Sequence, residues 1–184
     1  MHCLAAVLTV AAAALLAACT PTGPSVHTPS GPTTAPPRAS AVPFVDGCAQ
    51  SRPIDTPFPT GDDVVMGELS FGGLAAAPAA TLQPDGTAFY KSGAQLPPSA
   101  SATIRIESPA DEYARIVVEA GPPSLAVAYT GCPAGDGVGS WWVGGFLLYG
   151  RATACLPLAV TGDADSAARH VRVALGPHAC SRTQ

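Results

Sequence analysis

"ATIRIESPADEYARIVVEAGPPSLAVAYTG", residues 102–131, is the stretch whose reading decides the fold. Its opening alternates, with Ile104 and Ile106 against Thr103, Arg105 and Glu107, which is the two-residue period of a half-buried strand. "YARIVVE" (113–119) and "SLAVAYTG" (124–131) follow as further strands, divided by Gly121-Pro122-Pro123, a breaker that neither strand nor helix crosses easily.

Outward from this stretch the pattern repeats. "VVMGELSF" (64–71) reads as one alternating strand, with Val65, Leu69 and Phe71 on one face and Met66, Glu68 and Ser70 on the other. "TAFYK" (87–91) follows the Asp85-Gly86 turn signal. Downstream come "WWVGGFLLYG" (141–150), "CLPLAV" (155–160) and "HVRVALG" (170–176), while "DADSAARH" (163–170) offers Asp163 or Asp165 as cap of a single helical turn. Short strands separated by Gly, Pro and Asp predict an all-β fold. The expected architecture is a single antiparallel β-sandwich, immunoglobulin-like, over residues 44–184.

Composition agrees. Nineteen Gly and twenty Pro in 184 residues suit a turn-rich β protein and argue against a helical bundle. The net charge is −4, and the nine basic residues are scattered singly, so no track for a phosphate backbone exists and nucleic acid is not an expected partner. All the basic residues but Lys91 are Arg and Ala is abundant, the bias of a high-GC bacterial gene.

The N-terminal part is different in kind. Leu4 to Ala18 is apolar apart from Thr9 and as a helix would rise about 22 Å, short of the roughly 30 Å hydrocarbon core. It has the length of a signal-peptide apolar region and ends in small residues. Leu16-Ala17-Ala18-Cys19 resembles the lipobox of bacterial lipoproteins. The resemblance implies removal of residues 1–18 as a signal peptide and a diacylglyceryl thioether on Cys19. It also implies acylation of the new amino terminus and attachment to the outer face of the cell membrane. Two or three acyl chains make such attachment effectively permanent, where one holds only marginally. Residues 19–43, lipidated Cys19 and a Pro/Ser/Thr-rich run after it, then read as a disordered tether. At about 3.1 Å per residue its extended reach is roughly 75 Å.

Four cysteines lie beyond residue 43: Cys48, Cys132, Cys155 and Cys180. An even number in an exported domain reads as two disulfides, with three pairings open. If consecutive strands run antiparallel, Cys132 ends one strand and Cys155 begins another two strands later, at opposite ends of the sandwich. Cys180, just past the last strand, returns to the end where Cys155 starts. Polarity therefore favours Cys155–Cys180 and leaves Cys48–Cys132.

"GELSFGGL" (67–74), "WVGGF" (142–146), "CLPLAV" (155–160) and the closing Cys180 are similar to small exported proteins and lipoproteins of actinobacteria. The match runs over most of residues 64–180. It implies a source and leaves the role open, and it supplies no catalytic residue to carry over.

Chemical motifs are sparse. "GDGVGSW" (135–141) lacks the G-x-S-x-G spacing around Ser140, although His170 and Asp163 are present in the chain. Asp163, Asp165, His170 and His178 fall near one another without calcium-loop or zinc spacing, so no metal is expected. Asp62-Asp63 and Asp111-Glu112 point opposite ways in extended chain and read as solvated turns. No catalytic residue and no cofactor are expected.

One feature points to a surface. If 141–150 is a single strand, Trp142, Gly144, Phe146 and Leu148 share one face, and Trp141, Val143, Gly145, Leu147 and Tyr149 the other. Both faces are apolar, so something must cover the second. Either the chain's own segment 72–85 does so, or Trp141, Val143, Leu147 and Tyr149 form a patch for a partner: protein, peptide or glycan. The expected function is a lipid-anchored, extracytoplasmic binding or scaffolding module of the cell envelope. The alternatives are an envelope hydrolase with a loop-built site using His170 or His178, and a purely structural lipoprotein.

Overall fold

Ile104 and Ile106 sit in the middle of a sheet, both buried, with Arg105 exposed between them. The computed structural model describes residues 35–37, 40 and 42–180, apart from 77, 134, 136, 164 and 166. Cys19, the signal peptide and most of the tether lie outside the described residues.

The strands are β1 (Phe44–Asp46), β2 (Arg52–Ile54), β3 (Val64–Met66), β4 (Leu69–Phe71), β5 (Thr81–Leu82), β6 (Ala88–Lys91) and β7 (Ala94–Leu96). They continue as β8 (Ser101–Ile106), β9 (Ala114–Val118), β10 (Ala126–Thr130), β11 (Gly139–Trp142), β12 (Gly144–Leu148), β13 (Ala154–Gly162) and β14 (Arg169–Leu175). Three hydrogen-bonded sheets result, ordered β1-β10-β8-β13-β14, β2-β11-β7-β4-β3 and β5-β6-β12-β9. Every neighbouring pair is antiparallel except β1 with β10, which run parallel in the register Phe44↔Val127.

The three sheets share one core. Phe71 of the second sheet meets Phe146 of the third with ring centroids 5.2 Å apart, and Tyr129 of the first meets Trp142 of the second at 5.2 Å. Tilted aromatic pairs of this kind add to plain area burial. Leu69, Leu96, Ile104, Ile116, Leu148 and Leu158 fill the space between them, all wholly buried. The protein is an all-β sandwich, built from more and shorter strands than its sequence pattern suggests.

Two local readings are corrected. Residues 64–71 are not one strand but a hairpin: Gly67, at φ 72°, turns the chain so that Val64 pairs with Phe71. The two-residue phase resets there, sending Met66 inward and leaving Val65 51% exposed. The helical turn at 163–170 does not form among the described residues; Asp165 instead holds Arg169, where β14 begins, at 2.9 Å. Ahead of β1, the Pro37 carbonyl accepts a hydrogen bond from Arg115 Nη2 at 2.8 Å.

Disulfides join Cys48 to Cys132 and Cys155 to Cys180. The second sits at the open end of the β13–β14 hairpin: Cys155, in β13, lies opposite Ala174, and Cys180 follows shortly after β14 ends at Leu175.

Candidate functional site

The segment 141–150 changes sheets. β11 ends at Trp142 between β2 and β7, and β12 begins at Gly144 between β6 and β9. The two glycines make the crossing feasible. A Cβ on Gly144 would lie 2.2 Å from the Val117 carbonyl oxygen, and one on Gly145, at φ 148°, only 2.0 Å from that of Tyr90. Backbone passes backbone too closely there for any side chain.

The crossing breaks up the expected patch of Trp141, Val143, Leu147 and Tyr149. Trp141 is half-buried, over Gly93 on one side, with the Arg52 guanidinium 5.6 Å from its ring centroid. Arg52 in turn reaches Glu119 at 3.3 Å. Tyr149 is buried; burial pushes its phenol up while the nearby Arg115 pulls the other way. Val143 lines a pocket shared with Asp46 and Glu119. Only Leu147 remains on an open apolar surface.

That surface is a groove of about 520 Å³ on the third sheet. Leu147 lies directly across from Phe89 of β6 on one side and Arg115 of β9 on the other. Phe89, Val117 and Leu147, all half-buried, line it together with Pro84 and Pro123, while Gln83, Asp85 and Thr87 supply its polar rim. The segment 72–85 sends Leu74 into the core and contributes Gln83, Pro84 and Asp85 to the lining, but its described residues do not close the groove. Asp85 is already engaged, its Oδ1 accepting from the Thr87 amide at 3.0 Å and the Thr87 hydroxyl at 2.7 Å. Those hydrogen bonds hold its carboxyl below the usual range.

Arg115 secures the side of β9 next to the groove. Its guanidinium is buried and donates from Nη1 to the carbonyls of Asp111 at 2.7 Å and Ala114 at 2.6 Å, as well as from Nη2 to Pro37. Desolvation lowers its pKa, against the opposing pull of Tyr149 and Asp111.

The remaining sequence candidates are dispersed. Ser140 is buried in β11, where its hydroxyl accepts from the Cys132 amide at 2.9 Å. His170 is exposed and pairs through Nδ1 with Glu107 at 3.0 Å. Asp163 and His178 make no shared cluster with it: among the described residues no three His, Cys, Asp or Glu side chains converge as a metal set. Asp63 fastens a turn, accepting from the amides of Thr60 at 2.7 Å and Gly73 at 3.0 Å. Asp111 and Glu112 lie on the short 3-10 turn Ala110–Glu112.

Two residues of consequence carry little signal in the sequence, Arg115 and Asp46. Asp46 is 2% exposed, its Oδ1 has no hydrogen-bond partner, and it lines a pocket of about 200 Å³ with Gln50, Glu119, Ala120 and Val143. Burial first, and the charge of Glu119 second, push its carboxyl above the usual range. In the sequence each is only a single charge within an apolar run, "FVD" (44–46) and "YARIVV" (113–118).

No protein-family model, no curated protein and no solved structure matches this chain.

Proposed function

We propose that this protein is a lipid-anchored binding module of the cell envelope, held at the outer face of the membrane through Cys19. Its groove on the third sheet takes an apolar stretch of a partner polypeptide. The lipobox-like Leu16-Ala17-Ala18-Cys19 and the proline-rich run after it support the anchor. Two disulfides accord with an oxidising compartment.

One observation carries the binding reading: Phe89, Val117 and Leu147, from three adjacent strands, form an apolar floor that no part of the described chain covers. The chemistry favours a polypeptide over a glycan. A sugar needs a flat aromatic platform and several free hydrogen-bonding groups. Here Trp141 is under Arg52, and Asp85 is occupied by Thr87.

The test is photo-crosslinking in cells of the native host, with a photoreactive residue replacing Gln83 at the rim. A discrete protein adduct that disappears in Phe89→Ser/Leu147→Ser but persists in Trp141→Ala supports the reading. An adduct pattern identical in all three, with the disulfides intact, refutes it. Cell fractionation of Cys19→Ser tests the anchor separately, the expected result being release from the membrane fraction.

A further inference from the structure

Phe89, Leu147 and Arg115 stand in one row across β6, β12 and β9, so their side chains leave the same face of the third sheet. Phe89 and Leu147 belong to the apolar floor of the groove, and Arg115 holds the Pro37 carbonyl at 2.8 Å. The N-terminal chain is therefore fastened to this face one strand away from Leu147, and Pro36 beside the fastening is half-buried.

The described residues begin at Ala35, two positions before that fastening. Directly upstream stands "TPSGPTT", residues 28–34, with Pro29 and Pro32 three apart. A polyproline II helix has three residues per turn, so Pro29, Pro32 and Ala35 make one ridge along it. Ridges spaced P-x-x-P dock in grooves lined by aromatic side chains, and a segment already extended loses little entropy on docking. The groove supplies Phe89 and Leu147 beneath such a ridge, with Pro84 and Pro123 beside it. Charge agrees: the segment carries none, and Asp85, the acidic residue of the lining, is already engaged by Thr87.

Length agrees too. From β9 to β6 is two strand spacings, about 10 Å. Pro32 stands five residues before Pro37. That stretch covers about 15 Å as polyproline II at about 3.1 Å per residue, enough to carry Pro32 from Arg115 to the floor.

We propose that residues 28–34 of this chain occupy the groove as a polyproline II segment, with Pro32 over Leu147 and Phe89, and that a partner polypeptide gains the groove by displacing them. This rests on the groove reading and adds its regulation. Tied down at Pro37, the segment acts at an effective concentration on the order of millimolar, so a weak contact is enough to keep the floor covered. A partner's apparent affinity falls with the fraction of groove left open, and a weak apolar stretch is excluded where a well-matched one enters.

The test is hydroxyl-radical footprinting of the purified, oxidised full chain, read by mass spectrometry at Phe89 and Leu147. Pro29→Ala/Pro32→Ala removes both ridge prolines and alters no residue of the core or of the groove lining. The expected result is a several-fold rise in oxidation of Phe89 and Leu147 in the variant, unchanged on dilution, with buried Phe146 as the reference for an intact fold. A synthetic peptide of residues 28–34, added in trans, should restore protection in the variant. Equal oxidation of parent and variant overturns the proposal. So does protection in the parent that fades on dilution, because the groove would then hold the tether of a second copy. The cellular crosslink from Gln83 separates this inference from the reading beneath it: its yield should rise in Pro29→Ala/Pro32→Ala. A partner adduct with no footprint difference overturns the self-docking and leaves the groove reading standing. Footprint protection with no adduct in either chain overturns the partner reading and, with it, the displacement.

Discussion

Removing each disulfide in turn tests whether chain entropy or native contact governs the stability of this fold. The Cys48–Cys132 bond closes a loop with a sequence separation of 84, and Cys155–Cys180 one of 25. Loop-closure entropy assigns about 4.6 kcal/mol to the first and about 3.5 kcal/mol to the second. The long loop contains strands of all three sheets, so none of its closure is supplied by a local hairpin. The short one spans the β13–β14 hairpin, which exists only in the folded state and therefore does not reduce the entropy removed from the unfolded chain. Native contacts push in the same direction. Cys48 follows Gly47, whose carbonyl accepts from Trp142 Nε1 at 3.0 Å, and freeing Cys48 loosens that bond. The expected order is a loss of about 4.6 kcal/mol or slightly more for Cys48→Ser/Cys132→Ser, and about 3.5 kcal/mol for Cys155→Ser/Cys180→Ser. Against a typical domain stability of about 5–15 kcal/mol, either loss is severe. Urea denaturation of the two double variants and the parent gives the numbers directly. Cys48 is exposed, so limited dithiothreitol followed by alkylation and mass spectrometry should label Cys48 and Cys132 first. If the Cys155/Cys180 variant proves the less stable, the entropic reasoning is wrong and strain or packing at the hairpin end sets the order.

Gly145→Ala should cost more than about 3 kcal/mol, because its Cβ would stand 2.0 Å from a backbone oxygen and the strained φ of 148° has no relief. A thermal melt showing a shift within error of the parent would mean that β12 does not pass β6 as described. Arg115→Met removes three donor contacts to carbonyls, including the one to Pro37, and should cost roughly 2–4 kcal/mol. Tryptic cleavage after Arg38 should then speed up several-fold under native conditions, and an unchanged rate would show that Arg115 does not hold this part of the chain.

The class of the fold was legible because it rests on local period. Ile104 and Ile106 alternate with Arg105 over enough residues for burial to follow the pattern, and the structure buries them accordingly. The cysteine pairing was legible for a related reason: the polarity of neighbouring strands limits which strand ends can meet. Where a glycine intervenes, the same logic fails. Gly67 turns 64–71 into a hairpin, which resets the phase and exchanges the roles of Val65 and Met66. β1, β2 and β7 are three residues each, too short to show a period, and they are sheet members only because neighbours supply the hydrogen bonds. Asp46 and Arg115 were not legible as a site at all. Each is one charged residue in an apolar run, and only long-range packing, of β1 against β10 and of Pro37 against β9, makes it buried.

The aromatic segment shows most clearly what a linear pattern can and cannot say about a surface. Two apolar faces on one strand demand a second cover, and a loop and a partner are not the only two answers. The chain takes a third one: it leaves one sheet at Trp142 and enters another at Gly144, so each half has its own neighbours. The even face survives the crossing intact, with Trp142, Phe146 and Leu148 all in the core. The odd face is dealt out to separate surroundings, Trp141 to Arg52, Val143 to the Asp46 pocket, Tyr149 to the vicinity of Arg115, and Leu147 alone to solvent beside Phe89. A partner surface read from spacing within one segment therefore dissolves. The surface we propose in its place draws Phe89, Val117 and Leu147 from three strands joined through the β6-β12-β9 ladder. Any recognition by this protein is consequently a property of sheet order. Substitutions that keep every residue of the segment 141–150 but shift the β12 register by one position should abolish it, because Leu147 would then turn inward and Phe146 outward.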